Sequence, residues 1–350
     1  MEKIIRVLVV DDSAYIRKVW KQILHRSPYI EVVGTANNGL EALEKVQKLN
    51  PDVITLDLIM PEMNGIEFLS EQMKRKPIPV VVTSIASETG EMALEALQAG
   101  AIDFIQKPTA LATEKVYEIA KEMIEKVKAA GSIQMEKISF SEQKTSKLEP
   151  LDYVKPNIRL NNFDLIVIGV STGGPQALRL IIPQIPKNFP IPIAVVLHMP
   201  DGYTKLYAEK LNEISQIKFI EASEGVEFLP GTAILARAGR HLTIEKDSSG
   251  RYLAHLETRP FDTPHRPAVD VLFRSAAEVY GERVLGIVLT GMGSDGREGS
   301  AWIKTKGGTV FTEAEKTCVV YGMPRSVDEA NLSDKSVPLN ELVKTIIESI

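Results

Sequence analysis

Residues 164–178 read DLIVIGVSTGGPQAL. An unbroken apolar run leads to Ser171 and Thr172, then to Gly173-Gly174-Pro175, then to a segment of helical period. An unbroken apolar run fits a strand buried on both faces, and the small residues with proline fit a tight turn that opens a helix. A strand of that kind belongs to a parallel sheet covered by helices on either side. Working outward, IAVVLH (193–198) and VLGIVLT (284–290) are further buried strands, and helices are expected near 175–183, 204–213, 268–280, 297–305 and 338–349. The stretch 217–257 is rich in β-formers, with turns at Pro230-Gly231 and Ser249-Gly250. It gives the sheet an antiparallel extension.

The same alternation fills the first 130 residues. IIRVLVV (4–10), IEVVGTA (30–36), DVITLD (52–57), IPVVVTS (78–84) and AIDFIQ (101–106) read as strands separated by stretches of helical length. Val116, Ile119, Ala120, Met123, Ile124 and Val127 share one helix face. Five strands alternating with five helices predict a (βα)5, flavodoxin-like parallel sheet, whose ligands sit at the carboxyl ends of the strands. The fold class is α/β throughout. The expected division is a domain over 1–128, a linker over 129–160 and a doubly wound domain over 161–350. The linker breaks the pattern with polar residues and Pro150 and Pro156, and Ile133, Met135, Ile138 and Phe140 are the residues able to dock it.

Composition narrows the function. Hydrophobic residues make up 44% and charged residues 25%, which excludes wholesale disorder. One cysteine, Cys318, excludes an intrachain disulfide and a cysteine-rich zinc site; it is expected to be a buried small residue. A net charge of -5 argues against bulk binding to nucleic acid or to an anionic membrane. No apolar run reaches the roughly 18 residues that a membrane span needs. The start, MEKIIRVLVVDDS, meets charge too soon for a signal peptide. A cytoplasmic monomer is expected.

Two constellations carry chemistry. In the first, Asp11 and Asp12 follow the first strand, Asp57 ends the third, Thr83 and Ser84 end the fourth, and Lys107-Pro108 follows the fifth. A parallel sheet brings these ends to one edge. Singly, each aspartate is most simply a helix cap or a turn residue. Together they form an all-oxygen acidic pocket that fits Mg²⁺, beside a lysine that can offset a phosphoryl group. Asp57 is then a candidate phosphoryl acceptor.

In the second, Ser171 stands in Gly169-Val-Ser-Thr-Gly173, at a strand-to-helix turn that aims backbone N–H groups at developing negative charge. The competing reading is a nucleotide-binding loop, but serine occupies the second glycine position and no Lys-Ser/Thr pair follows. Of the five histidines, His198 closes the strand expected beside that of Ser171. Asp295 lies in the glycine-rich loop LTGMGSDG after the third strand. Alone, His198 reads as a structural histidine and Asp295 as a turn residue. Ser171, His198 and Asp295 at one sheet edge make a nucleophile, a base and an orienting carboxylate, in an order that disfavours the α/β-hydrolases. His265-Arg266 either lines a cleft or fixes a loop, and His241 and His255 are expected at the surface or a β-edge.

VLVVDDSAYIRK, DVITLDLIMPEMNGIEFL, PVVVTSIA and AIDFIQKP resemble the diagnostic segments of response-regulator receiver domains. That resemblance implies phosphorylation at Asp57, Mg²⁺ on Asp12, Asp57 and the carbonyl of Ile59 with Asp11 in support, and a switch pair of Ser84 and Phe104 beside Lys107. IGVSTGGP, LHMPDGYTKLYAEKLN, HRPAVDVLF, GIVLTGMGSDGREG and TCVVYGMP resemble the catalytic domain of the CheB-type chemotaxis methylesterases. It implies Ser171 as nucleophile, His198 as base, Asp295 as its orienter, the backbone N–H of Met292 as an oxyanion donor, and Thr172 beside the nucleophile. It further implies a phosphorylation-activated esterase that cleaves glutamate γ-methyl esters and deamidates glutamines on chemoreceptor cytoplasmic helices. A chemotaxis histidine kinase would donate the phosphoryl group, the esterase step would need no cofactor, and the unphosphorylated receiver would cover the cleft. The rivals are a receiver fused to a catalytically dead binding domain, which an intact triad disfavours, and a transcription factor, for which no basic helix-turn-helix stretch is present.

Overall fold

The computed structural model describes residues 3–84, 86–107, 114–133, 162–260 and 262–350, with the side chains of 86–89 and 114–118 also outside the description. The chain divides into two compact units, Met1–Phe140 and Ser141–Ile350. The greater part of the expected linker, and with it Met135, Ile138 and Phe140, lies outside the described residues, as do Pro108 and the side chain of Val116.

In the first unit, strands β1 (Ile5–Val10), β2 (Ile30–Ala36), β3 (Val53–Asp57), β4 (Val80–Ser84) and β5 (Asp103–Gln106) form one sheet in the order β2-β1-β3-β4-β5. All the pairings are parallel. Helices α1 (Ala14–Leu24), α2 (Gly39–Leu49), α3 (Gly65–Arg75), α4 (Ala86–Gln98) and α5 (Glu114–Gly131) connect and follow the strands. Ser13, Asn38 and Asn64 cap α1, α2 and α3 by accepting from Ile16, Glu41 and Glu67 N–H; each meets a donor the helix leaves unpaired. The apolar face read from sequence is the buried face of α5: Ala120, Met123 and Val127 enter the core with Trp20 and Ile23 of α1. The helix runs on to Gly131, past the expected boundary at 128. The chain starts at β1 and passes to opposite sides of it, so the crevice where the strand order reverses lies between β1 and β3.

In the second unit, seven strands form one parallel sheet in the order β14-β13-β12-β6-β7-β9-β8. These are β6 (Leu165–Val170), β7 (Ile193–Leu197), β8 (Lys218–Glu221), β9 (Thr232–Leu235), β12 (Val284–Val288), β13 (Thr309–Glu313) and β14 (Lys335–Val337). The antiparallel piece is β10 (His241–Lys246) with β11 (Tyr252–Glu257), a separate two-stranded sheet rather than added strands of the large one. Helices α6 (Gly174–Ile181), α7 (Thr204–Ile214), α8 (Val269–Tyr280), α9 (Arg297–Thr305), α10 (Met323–Glu329) and α11 (Leu339–Ser349) complete the unit. Every residue of β6, β7 and β12 is buried, as a sheet covered on both faces requires. Gly169 lets α8 approach β6, since a Cβ there would lie 2.3 Å from Val269. The strand order reverses between β6 and β12, which puts the ligand crevice at their carboxyl ends. No described helix is long and apolar enough to cross a membrane.

Candidate active site and acidic pocket

Strand register assembles the catalytic candidates. Val170 pairs with Leu197, so Ser171 and His198 stand next in line on neighbouring strands. The His198 N–H donates to Val170 O at 3.1 Å, and the Ser171 N–H donates to Thr290 O at 3.0 Å. Ser171 therefore sits between His198 on one side and the loop after β12 on the other. Gly291 touches it: a Cβ on Gly291 would lie 2.8 Å from the Ser171 Cβ and 2.3 Å from the Met323 sulfur. No larger residue fits there without moving the serine. Gly173 carries φ +79° at the start of α6, a left-handed turn that favours glycine. Because the Ser171 N–H is already engaged, it is not an oxyanion donor. Among the described residues the Met292 N–H, one residue beyond the serine contact, has no protein acceptor.

His198 divides its two ring nitrogens. Nε2 lies 2.8 Å from Asp295 Oδ2, while Nδ1 is buried with no hydrogen-bond partner. With Nε2 protonated toward the carboxylate, Nδ1 keeps its lone pair. The His265 ring stacks on His198 with centroids 4.0 Å apart, so His265 lies against the base.

Asp295 is fixed by α8. Its Oδ2 also accepts from Val269 N–H at 2.8 Å, and its Oδ1 accepts from Asp270 N–H at 2.9 Å. The N-cap of α8 is Ala268, which has no side chain to offer; Asp295 caps the helix in its place. Asp270 returns the favour, accepting from Gly296 and Gly299 N–H at 2.9 and 2.7 Å at the start of α9. Burial would raise the Asp295 pKa, but the His198 hydrogen bond and the two N–H donors outweigh it and hold the carboxyl below its ordinary range. Burial and the neighbouring Asp295 charge push Asp270 the other way. Asp295 therefore stays ionised next to the imidazole.

Three supporting residues went unrecognised in the sequence. Asp270 is one. Glu313, at the end of β13, is fully buried and accepts from Thr290 N–H at 2.8 Å. Thr290 in turn receives the Ser171 N–H and donates its hydroxyl to Thr172 O at 3.0 Å, so Glu313 underpins the nucleophile's loop. The third is His241, expected at the surface or a β-edge. It does start β10, but it is fully buried. Its Nδ1 accepts from Ala268 N–H at 3.2 Å, and its Nε2 lies 3.1 Å from Pro260 O. It thus pins both ends of the loop that carries His265 and leads into α8. A fully buried histidine with two backbone partners carries no periodicity that a sequence could reveal. His255 lies near the surface in an ion pair with Glu224, and Cys318 is half-buried rather than buried.

Burial pushes the Glu313 carboxyl up to about 7, against the pull of the Thr290 N–H. A folded pKa above the unfolded 4.5 means stability is complete below pH 4.5 and is lost as pH rises through 7. The loss approaches about 3 kcal/mol by pH 8 at ~1.4 kcal/mol per pKa unit. Glu313→Gln keeps an acceptor for Thr290 and cannot ionise. Its stability should fall less between pH 5 and 8 than that of the wild type, read by urea unfolding at both pH values. Equal pH dependence of the two proteins would refute this account of Glu313.

In the first unit, one ligand oxygen each from Asp11, Asp12 and Asp57 lie within 4.8 Å of one another. Lys107 Nζ is 2.8 Å from both Asp11 and Asp57. Asp11 and Asp57 are buried and Asp12 is exposed. Burial pushes the Asp57 carboxyl up to about 6, against Lys107, and raises Asp11 as well. The donors are all oxygen, the span suits one small cation, and its charge would offset the cost of burying two carboxylates. The pocket therefore fits Mg²⁺. Ser84 ends β4, and the carbonyl of Ser84 accepts from Lys107 N–H at 2.8 Å. The Phe104 ring is buried. Lys126 of α5 holds it there: its Nζ is 2.7 Å from Phe104 O, 3.0 Å from Asp103 and 5.9 Å from the ring centroid.

Comparison with known proteins covers both units. The family model for CheB methylesterase matches residues 166–346, and that for the response regulator receiver domain matches residues 7–117. The protein-glutamate methylesterase/protein-glutamine glutaminase 5 of Myxococcus xanthus is 48% identical over 343 residues, covering 97% of this chain and 96% of the relative. A Thermotoga maritima protein-glutamate methylesterase/protein-glutamine glutaminase is 41% identical over 350 residues, covering 100% of this chain and 99% of the relative. The crystal structure of the Thermotoga maritima CheB methylesterase catalytic domain superposes with a TM-score of 0.52 at 41% identity, covering 54% of this chain and 99% of that one.

Proposed function

The chain belongs to the CheB methylesterase family, with a response-regulator receiver domain ahead of the catalytic domain, and on that premise we propose that it is a phosphorylation-controlled serine esterase of chemotaxis adaptation. It is a hydrolase, a protein-glutamate methylesterase and protein-glutamine glutaminase like the relatives that match it along their length. Its substrate is a glutamate γ-methyl ester on the cytoplasmic helices of a chemoreceptor, so its place is the cytoplasm.

Ser171 Oγ attacks the ester carbonyl while His198 Nδ1 takes its proton. Asp295 accepts the Nε2–H and stabilises the imidazolium that forms. The Met292 N–H, with Thr172 beside the serine, receives the oxyanion; one such donor is worth roughly 3 kcal/mol. His198 returns the proton to the leaving oxygen and methanol departs. Water then enters, His198 takes its proton, and the acyl-enzyme opens to free glutamate and Ser171. With a glutamine the leaving group is ammonia. The observation that supports this most is the division of the His198 ring, with Nε2 held by Asp295 and Nδ1 buried without a partner, on the strand that neighbours that of Ser171.

The receiver accepts a phosphoryl group from a histidine kinase at Asp57. Asp11, Asp12, Asp57 and the carbonyl of Ile59 would hold Mg²⁺, which when bound supplies positive charge to the phosphoryl oxygens. Lys107 adds a fixed cation, and Ser84 and Phe104 report the modification. The receiver restrains the esterase until then. The test is methanol release from methylated receptor membranes with and without a small phosphodonor. Release should rise by about 5- to 150-fold, the range of a typical allosteric coupling. No release under either condition would refute the reading.

A further inference from the structure

The rim of the catalytic site carries an uneven charge. Ala236 N–H donates to Val195 O at 2.8 Å, so the segment leaving β9 starts beside the carboxyl end of β7, where His198 lies. Gly239 N–H then donates to Arg266 O at 3.0 Å, which ties this segment to the loop whose His265 stacks on His198. His241 fixes the far side of that loop at Pro260 and Ala268. The two joined segments hold Arg237, Arg240, Arg259 and Arg266 against a single acid, Asp262. Arg237, Arg240 and Arg259 are exposed and Arg266 is half-buried. Nearby, the exposed Asp201 accepts from Gly202 N–H, and Glu221, the last residue of β8, accepts from the Thr204 hydroxyl. In a chain of net charge -5, four arginines against one acid on two joined segments that flank His198 is an uneven distribution.

We infer that this arginine rim receives free carboxylates flanking the ester on the substrate helix. The inference rests on the methylesterase reading and adds its substrate class: a helix that is acidic around the scissile ester. Every completed turnover leaves a glutamate, so a partly demethylated receptor grows more acidic at its neighbouring sites. The planar, permanently charged guanidinium suits a carboxylate better than a lysine would. Exposed pairs of this kind steer encounter and set register, acting on KM more than on the chemical step.

The experiment uses full-length protein with a phosphodonor and two helical peptides. Each has one γ-methyl glutamyl ester, flanked by glutamates in one peptide and by glutamines in the other. Phenyl acetate serves as a neutral ester. The wild type should show a roughly fivefold lower KM for the glutamate-flanked peptide at low salt, the size two exposed ion pairs supply. The gap should close at high salt. Arg237→Gln with Arg240→Gln should abolish the gap while leaving kcat and phenyl acetate hydrolysis unchanged. A wild type without the preference, or a double variant that keeps it, would overturn the rim. A wild type that cleaves phenyl acetate but neither peptide nor methylated receptor membranes would instead overturn the methylesterase reading, and the rim with it.

Discussion

Ser171→Ala should remove methyl ester hydrolysis and glutamine deamidation together, by up to roughly 10⁶-fold. The alanine deletes one oxygen from a half-buried position and leaves the Ser171 N–H free to donate to Thr290 O, so the fold should persist. His198→Ala should match it in severity, because serine and base act as a unit. Asp295→Asn should cost less, about 10⁴-fold, since it leaves both other groups in place and misorients the ring. The geometry adds a detail: the amide would put a donor where His198 Nε2 or an α8 N–H now donates. The measurement is methanol release alongside labelling of Ser171 by a serine-directed phosphonate. More than a tenth of wild-type turnover in Ser171→Ala would show that another residue is the nucleophile.

The residues that make this prediction possible were legible for a physical reason. In a parallel sheet, chemistry collects at the carboxyl ends of strands, and each strand is an apolar run that a reader can see. Ser171, His198, Asp11, Asp12 and Asp57 each follow or end such a run, and Asp295 lies in the glycine-rich loop that follows one. Parallel neighbours then bring each set to one edge of its own sheet without further information. The supporting shell is different. Glu313 ends a five-residue strand behind two glycines, too short to stand out, and β14 has three residues. Met323–Glu329 has proline as its second residue and shows too few turns to declare a helix. Asp270 sits in an amphipathic segment as an ordinary first-turn acid. Its bond to the Gly296 N–H exists because α8 and α9 start side by side, a fact of packing. The choice of His198 nitrogen is likewise a matter of ring orientation, which no residue pattern encodes.

Asp57→Asn should abolish phosphoryl uptake entirely and hold the esterase at its unphosphorylated level. Asparagine has the shape of the carboxylate but no anionic oxygen to attack phosphorus. Lys107 loses one of its two anionic partners and keeps Asp11, 2.8 Å away, so the pocket should not collapse. Thr83 and Ser84 on β4 and the buried Phe104 ring are untouched by the change. The groups proposed for the hydrolysis, Ser171, His198, Asp295 and the Met292 N–H, all belong to the other unit. Basal activity should therefore survive, and what disappears is its rise with phosphodonor. Removing Mg²⁺ with a chelator should reproduce this in the wild type, because Lys107 alone then faces three carboxylates and the incoming phosphoryl group. Two assays on one preparation decide the matter: base-labile phosphate on the protein, and methanol release with and without phosphodonor. Normal phosphate incorporation into Asp57→Asn would remove Asp57 from its role. A response to phosphodonor without incorporated phosphate would show that the coupling does not pass through the receiver's acidic pocket at all.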